Sequence, residues 1–190
     1  MSLIEITNDQ ETSNPLDVVE HMAAGNNWPF ERAGEDEIGL SVTGRWTNYQ
    51  VSFTWMSDIE ALHLACAFDM KVPEQRLPEV QQLIAMINEQ LWIGHFDVWM
   101  QNGMVMFRHA LVLAGGVGAS SRQCEAVLGT ALDSCERYFP AFNLRSGPAN
   151  RLARPSTPPC STPWARRDGR FGSLARFFRR ARSGRRRQDG

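Results

Sequence analysis

The glycine-rich stretch Gly115-Gly116-Val117-Gly118 stands between a predicted strand and a predicted helix. A loop in this position can present backbone N–H groups and a helix N-terminus to a phosphate. The spacing completes no phosphate motif, because GxxxxGK[ST] is absent and Ser121 stands where GxGxxG would have its last glycine. The preceding strand also belongs to a predicted antiparallel hairpin and not to a βαβ unit. A flexible turn is the preferred interpretation, and phosphate binding is the alternative.

Metal-ligating and nucleophilic side chains are scattered along the chain. They are His21, His63, His95, His109, Cys66, Cys124, Cys135 and Cys160. No two of them have the spacing of a metal site, and no serine stands in a GxSxG motif. We interpret the cysteines as reduced core residues; Cys124 and Cys135, predicted about 16 Å apart on one helix, cannot form a disulfide. We therefore expect no catalytic, metal or cofactor site and predict that the chain is not an enzyme, with a site assembled in three dimensions as the alternative.

Residues 95–114 have the pattern of a β-hairpin around Asn102-Gly103, a dipeptide that suits a two-residue type I′ turn. Such a turn would place Asp97 directly opposite Arg108, where a cross-strand charge pair helps to fix the register. Strand alternation then separates the core side chains from a second set on the opposite face. The core set is Phe96, Val98, Met100, Val105 and Phe107, and the second set includes Trp99, Met104 and Met106.

Trp99, Met104 and Met106 are the predicted contact surface for another protein. Tryptophan and methionine offer large and adaptable contact areas, and the core pattern leaves these three facing outward. A dimer interface or a partner surface would cover them. The alternative is that the last helix or the C-terminal tail packs over them.

Hydrophobic periodicity predicts the elements that position these residues. Asn14-Pro15 has the pattern of a helix start, and residues 77–91 place their apolar side chains on one helical face. Period-two alternation predicts strands near residues 28–32, 38–42, 51–55 and 62–70. A last helix is expected from Ser120 or Ser121 to Pro140. The order α-β-β-β-β-α-β-β-α predicts the α+β class, an antiparallel sheet covered by helices.

Charge divides the chain into an acidic body and a basic end. Residues 1–140 hold 7 Lys or Arg against 19 Asp or Glu, a net charge of −12, whereas 13 arginines from Ala141 onward face only Asp168 and Asp189, a net charge of +11. We expect a flexible N-terminus over 1–13, an α+β domain over 14–142 and a disordered Arg/Pro/Gly-rich tail over 143–190. Without an apolar run of about 20 residues or a signal-peptide pattern, we expect a cytoplasmic location.

The tail arginines are candidate contacts for an anionic partner. They are Arg166, Arg167, Arg179, Arg180, Arg185, Arg186 and Arg187. Nucleic acid, an anionic membrane and the acidic body of the same chain are all possible partners, and a tail without a defined role is a further interpretation. A shifted reading frame would also explain the abrupt change in composition; sequencing the gene and finding the frame intact would exclude it.

Several separated stretches resemble the YbjN family of bacterial proteins. They are the amphipathic helix Val80–Asn88, Gly94-His95-Phe96-Asp97, and Gly103–Arg108 followed by Leu111. Gly44-Arg45-Trp46, the strand Tyr49–Trp55 and Val72-Pro73 fit the same order. The resemblance extends from about Asn14 to Phe142. After Phe142 the sequence departs from the family, which would continue with another apolar stretch.

The resemblance implies a fold similar to type III secretion chaperones, which are small acidic α+β proteins that bind other proteins. It also implies a role as a sensory transduction regulator, with no catalysis and no cofactor. We therefore expect a non-enzymatic, chaperone-like or regulatory protein that binds another protein and forms a homodimer. The alternative is a protein that associates with nucleic acid or a membrane through its arginine-rich tail.

Overall fold

The computed structural model describes residues 14–146 as three α-helices, six strands and two short 3-10 turns. The bounds are α1 Pro15–Gly25, β1 Phe30–Arg32, β2 Glu37–Thr43, β3 Asn48–Met56, β4 Ala61–Lys71, α2 Leu77–Asn88, β5 His95–Trp99, β6 Met104–Val112 and α3 Ser121–Ser146. This order confirms the predicted α+β class. The expectation for the N-terminus 1–13 lies outside the described residues. So does the expected tail over 143–190, apart from residues 143–146, which belong to α3.

The six strands form one antiparallel sheet in the order β1-β2-β3-β4-β6-β5. The first four strands follow the chain as a meander, and the C-terminal hairpin then joins through β6. Strand β4 therefore pairs with both β3 and β6 at the centre of the sheet. The short strands β1 and β5 form the two edges, which limits the exposed backbone available for unwanted pairing.

All three helices pack against the same face of the sheet. Helix α1 covers β2 and β3, α2 lies beside β5, and α3 crosses β4 and β6. Their buried side chains join those of the strands in one hydrophobic core. Helix α1 begins as expected, with the Asn14 Oδ1 atom accepting a hydrogen bond from the Leu16 N–H at 3.0 Å and Pro15 in the first turn.

Helix α3 continues beyond the position at which we expected it to end. Pro140 lies inside the helix, which extends to Ser146, whereas the sequence predicted an end at Pro140. Phe142 gives the physical reason: its side chain is fully buried, with ring centroids 5.4 Å from Phe68 and 5.1 Å from Phe96. Tertiary packing of this last turn outweighs the cost of a proline within the helix.

The hairpin turn is longer than the sequence predicted. Met100–Gly103 form a four-residue loop, in which the Trp99 carbonyl oxygen accepts from the Asn102 N–H at 3.2 Å and from the Gly103 N–H at 2.7 Å. Gly103 has a φ of +67°, and a Cβ atom there would meet the Val72 carbonyl oxygen. The Val72 N–H donates to the Gly103 oxygen at 2.8 Å, so the end of β4 holds the loop in place.

This longer loop changes the pairing between β5 and β6. Asp97 lies opposite Met106, and Arg108 lies opposite His95, so the predicted Asp97–Arg108 register is wrong. The shift on the second strand is two residues, and an even shift leaves the side chains within both strands on their predicted faces. Met100, which we expected in the core, lies instead in the loop and is 58 % exposed, because the longer turn begins at this residue. Asp97 and Arg108 still form an ion pair at 3.1 Å, diagonally and not directly across the strands.

The aromatic contact between α3 and the sheet predicts a large effect of one substitution. Phe142→Ala removes a ring that packs against Phe68 and Phe96, and it should lower the free energy of unfolding by about 3–5 kcal/mol. Urea denaturation of the full chain measures this change. Leu144→Ala is the matched control, because Leu144 lies two residues further along and is 71 % exposed; it should stay within about 0.5 kcal/mol. Equal effects of the two substitutions would contradict the described packing.

Candidate protein-binding face

The helix-free face is the face of the sheet opposite α1, α2 and α3. On β6, Val105 and Phe107 are fully buried in the core. Successive side chains of a strand alternate between faces, so Met104, Met106 and Arg108 point to the helix-free face. The structure therefore brings the predicted contact residues of β6 together with Trp99 of β5, which pairs with Met104 across the hairpin.

A small apolar cluster lies on this face, separate from the main core. Ala65, Ala67 and Met106 are buried, and Trp99 and Met104 pack against them while partly exposed. We call these five residues the outer apolar cluster. The small alanines on β4 leave room for Met106, whose register partner is Ala67. Because Met106 has no exposed surface, only Trp99 and Met104 of the three predicted residues offer area for a contact.

A chain of polar side chains runs beside this cluster across three strands. Arg108 on β6 donates through Nη1 to Asp97 Oδ2 on β5 at 3.1 Å, and through Nε to His63 Nε2 on β4 at 3.3 Å. The arginine is thus bound on both sides. Burial, with the nearby charges of Arg108 and two further histidines, lowers the pKa of His63 to about 4. At neutral pH the imidazole is uncharged, and its nitrogen can accept the hydrogen bond from Arg108.

The helix-free face of β3 carries polar side chains that are also shielded from solvent. Ser52 Oγ donates to Glu37 Oε1 on β2 at 2.9 Å, and both residues are buried. The oxygen atoms Gln50 Oε1 and Thr54 Oγ1 are buried as well, and neither has a hydrogen-bond partner in the part of the chain that the structure describes. The face is therefore apolar at the β5–β6 end and polar over β2 and β3.

A second exposed apolar group was not found by sequence reasoning. Trp92 is fully exposed in the turn after α2, Ile93 follows it, and Met86 lies on the outer side of α2. The sequence pattern that could have revealed this group is the Trp-Ile pair, which lies in a turn and does not belong to the apolar face of the preceding helix. These residues lie beside the core-facing layer and not on the helix-free face, so they form a separate candidate contact surface.

The glycine-rich turn is poorly suited to bind a phosphate. Gly115 and Gly116 have positive φ angles, as a flexible turn requires. The Gly115 N–H donates to Glu60 Oε2 at 3.1 Å, so a carboxylate already takes the hydrogen bond that a phosphate would need. The first residues of α3 are capped by Ser120, whose Oγ accepts from the Gln123 N–H at 3.2 Å.

Two cysteines lie side by side in the core. The Cys66 and Cys135 Sγ atoms are 3.5 Å apart, between β4 and α3, and both residues have no exposed surface. Burial raises the pKa of Cys135 well above its usual value. The thiolate, which is the nucleophilic form, is therefore disfavoured. Within residues 14–146, no group of three or more His, Cys, Asp and Glu side chains is arranged to hold a metal ion.

Comparison with known proteins identifies the family. The family model YbjN, described as "Putative bacterial sensory transduction regulator", matches residues 15–144. The chain belongs to the YbjN family. Among solved structures, it is similar to the crystal structure of the ExsC-ExsE complex, with 17 % identity, a TM-score of 0.46, and coverage of 67 % of this chain and 92 % of that one. No curated protein sequence matches. None of the helices in residues 14–146 is long and apolar enough to cross a membrane.

In this YbjN chain, the turn between β2 and β3 contacts α3. The Arg45 N–H donates to Glu136 Oε1 at 2.6 Å, and Trp46 Nε1 donates to the Glu136 carbonyl oxygen at 3.1 Å. A Cβ atom at Gly44 would meet both Glu136 and the Tyr49 ring. The turn between β2 and β3 is thereby fastened to α3. In this chain the stretch Gly44-Arg45-Trp46 therefore has a structural role and locates no functional site.

The predicted contacts of the tail in this YbjN chain lie outside the described residues. They are Arg166, Arg167, Arg179, Arg180, Arg185, Arg186 and Arg187. Of the residues singled out from the sequence as contacts, the structure therefore places only Trp99, Met104 and Met106.

The depressed pKa of His63 predicts a pH dependence of stability. The unfolded chain binds the His63 proton near pH 6.5 and the folded chain only near pH 4. The folded state therefore loses up to about 3 kcal/mol from this group as the pH falls from about 7 to about 4. In urea unfolding across this pH range, the free energy of unfolding of the wild-type chain should fall by this amount relative to that of His63→Gln. The Gln amide oxygen can still accept the hydrogen bond from Arg108. His21→Gln, on the exposed side of α1, is the control and should lose as much free energy of unfolding as the wild type. An equal loss in His63→Gln would show that His63 is not responsible.

Proposed function

We propose that this chain is a non-enzymatic regulatory protein that binds a segment of another protein on its helix-free face. The observation that carries the proposal is the outer apolar cluster, in which Trp99 and Met104 are partly exposed above a buried Met106. Large apolar side chains on a sheet face that no described helix covers are typical of a contact surface. The YbjN family description, "Putative bacterial sensory transduction regulator", supports a regulatory role.

The surroundings of the cluster indicate the kind of segment that would fit. An apolar or aromatic side chain of the partner would cover Trp99 and Met104. Polar groups on either side of it would lie near Arg108 and Asp97, which are already paired at 3.1 Å and so need no new charge to balance them. Contacts of this kind, with an apolar centre and a polar rim, are common in protein interfaces. The partner is therefore expected to contribute an apolar anchor within a polar sequence.

The fold also supports a binding role, because the binding face and the core do not share side chains. Helices α1, α2 and α3 complete the core from one side. Substitution of Trp99 or Met104 would leave that core intact, since both belong to the separate outer cluster. A partner can thus bind without rearrangement of the core.

Charging the cluster should remove binding. Met104→Glu places a carboxylate against Trp99 and should weaken capture of the protein partner by about tenfold or more, equivalent to about 1.4 kcal/mol. The full-length tagged chain is cross-linked in its own cells and the captured proteins are quantified by mass spectrometry, with thermal unfolding as the check that each variant is folded. Met106→Glu is unsuitable because Met106 is fully buried.

Met86→Glu is the matched control for that experiment. Met86 is 63 % exposed on α2, away from the outer apolar cluster, so a charge there should leave capture unchanged. Loss of the partner in Met86→Glu but not in Met104→Glu would move the binding site to the surface near Trp92. A second copy of this chain is the other candidate occupant; in that case light scattering would show a homodimer that Met104→Glu converts to a monomer.

A further inference from the structure

Two thiols face each other across the contact between α3 and β4. The Cys135 S–H donates to the Cys66 Sγ atom at 3.5 Å, although the two residues are 69 positions apart in the sequence. The sulfur atoms of a disulfide are about 2.05 Å apart. A relative movement of about 1.5 Å would therefore bring these two sulfur atoms to bonding distance. The fold thus places two distant cysteines in position for an intramolecular disulfide.

The pair is sealed in the apolar core. Cys66 pairs with Val51 on β3 and with Phe107 on β6, and all three side chains are buried. Burial raises the pKa of the Cys135 thiol, so little of the reactive thiolate forms while α3 lies on the sheet. An oxidant therefore reaches the pair mainly in molecules in which α3 has briefly separated from the sheet.

Cys124 provides a comparison within the same helix. It is also fully buried on the core side of α3, and burial raises its pKa to about 11. Cys135 lies eleven positions further along α3, which is about 16 Å along a helix and too far for a disulfide. Burial is thus common to these cysteines, whereas contact between two sulfur atoms is confined, within residues 14–146, to Cys66 and Cys135.

We propose that Cys66 and Cys135 form a redox latch, which a peroxide closes by joining β4 to α3 through a disulfide. One thiolate attacks the peroxide and breaks its O–O bond, which gives a sulfenic acid and reduces the peroxide to water or an alcohol. The second thiol attacks the sulfenic acid sulfur and releases water. The two sulfur atoms lose two electrons to the peroxide, and their two protons leave in the products. A dithiol reductant opens the latch by thiol–disulfide exchange.

The latch acts on the contact between α3 and the sheet. A disulfide between Cys66 and Cys135 closes a loop of about 70 residues in the unfolded chain and so lowers the entropy of that state. The oxidised protein should therefore unfold at a temperature about 10 °C above that of the reduced protein. The bond also prevents α3 from leaving β4, so the oxidation state sets how often the domain opens. This proposal does not depend on the partner-binding face.

Peptide mapping of the full chain tests the disulfide. The folded protein is incubated with hydrogen peroxide, free thiols are blocked with N-ethylmaleimide in denaturant, and the chain is digested without reduction. Trypsin together with a glutamate-specific protease separates Cys124 from Cys135, because Glu125 lies between them. Mass spectrometry should show the peptide of Cys66 joined to that of Cys135, with Cys124 alkylated. Dithiothreitol should release both peptides and reverse the rise in Tm.

Alanine variants are the matched controls, because alanine buries no new polar group in the core. Cys66→Ala and Cys135→Ala should each lose both the linked peptide and the rise in Tm with peroxide, whereas Cys124→Ala should keep both. Each variant is compared with its own reduced form, which removes any effect of the substitution on packing. A disulfide to Cys124 or Cys160, or a linked peptide that forms only after complete unfolding, overturns the proposal.

The rate of oxidation tests whether α3 must separate from the sheet. Phe142→Ala removes buried packing near the end of α3, so it should increase opening and raise the initial rate of disulfide formation about tenfold or more. Leu144→Ala removes an exposed side chain and should react at the wild-type rate. Faster oxidation of Phe142→Ala alone supports the latch. Equal rates in the three proteins overturn it, because the thiols would then react without release of the helix.

Discussion

Helix α3 packs across β4 and β6, and the rest of the domain depends on this contact. Its buried stripe, from Cys124 through Cys135 to Phe142, reaches both the meander and the C-terminal hairpin. Phe142 contacts Phe68 of the meander and Phe96 of the hairpin. Because α3 occupies one face of the central strands, those strands can present a different set of side chains on the other.

Much of the fold is predictable from the sequence because hydrophobic periodicity depends on local spacing alone. The element order, the position of Asn14 as N-cap and the assignment of Val105 and Phe107 to the core all follow from it. The errors occurred where distant residues decide the local structure. Val72 binds the hairpin loop and lengthens it, and Phe142 extends α3 beyond Pro140; neither contact is visible in local sequence.

The binding face is only partly predictable for a related reason. Alternation correctly placed Trp99, Met104 and Met106 on one face, but depth within that face depends on the neighbouring strand. Met106 is buried because Ala67 is its register partner on β4, and strand partners cannot be read from one segment of sequence. The link from Arg108 to His63, which are 45 residues apart, is missed for the same reason. Its geometry depends on the pairing of β4 with β6.

The two-layer architecture has an evolutionary consequence. Along β3 and β6, alternate positions serve different purposes, since Phe53 and Phe107 belong to the core while Ser52 and Met106 belong to the outer face. During evolution, every second residue of these strands can therefore be substituted to suit a new ligand, while the residues between them keep the domain folded. Such a domain can change in recognition while the contacts that keep it folded, such as the hydrogen bond from Trp46 to Glu136, stay in place. A family can then share one scaffold and have no single shared target.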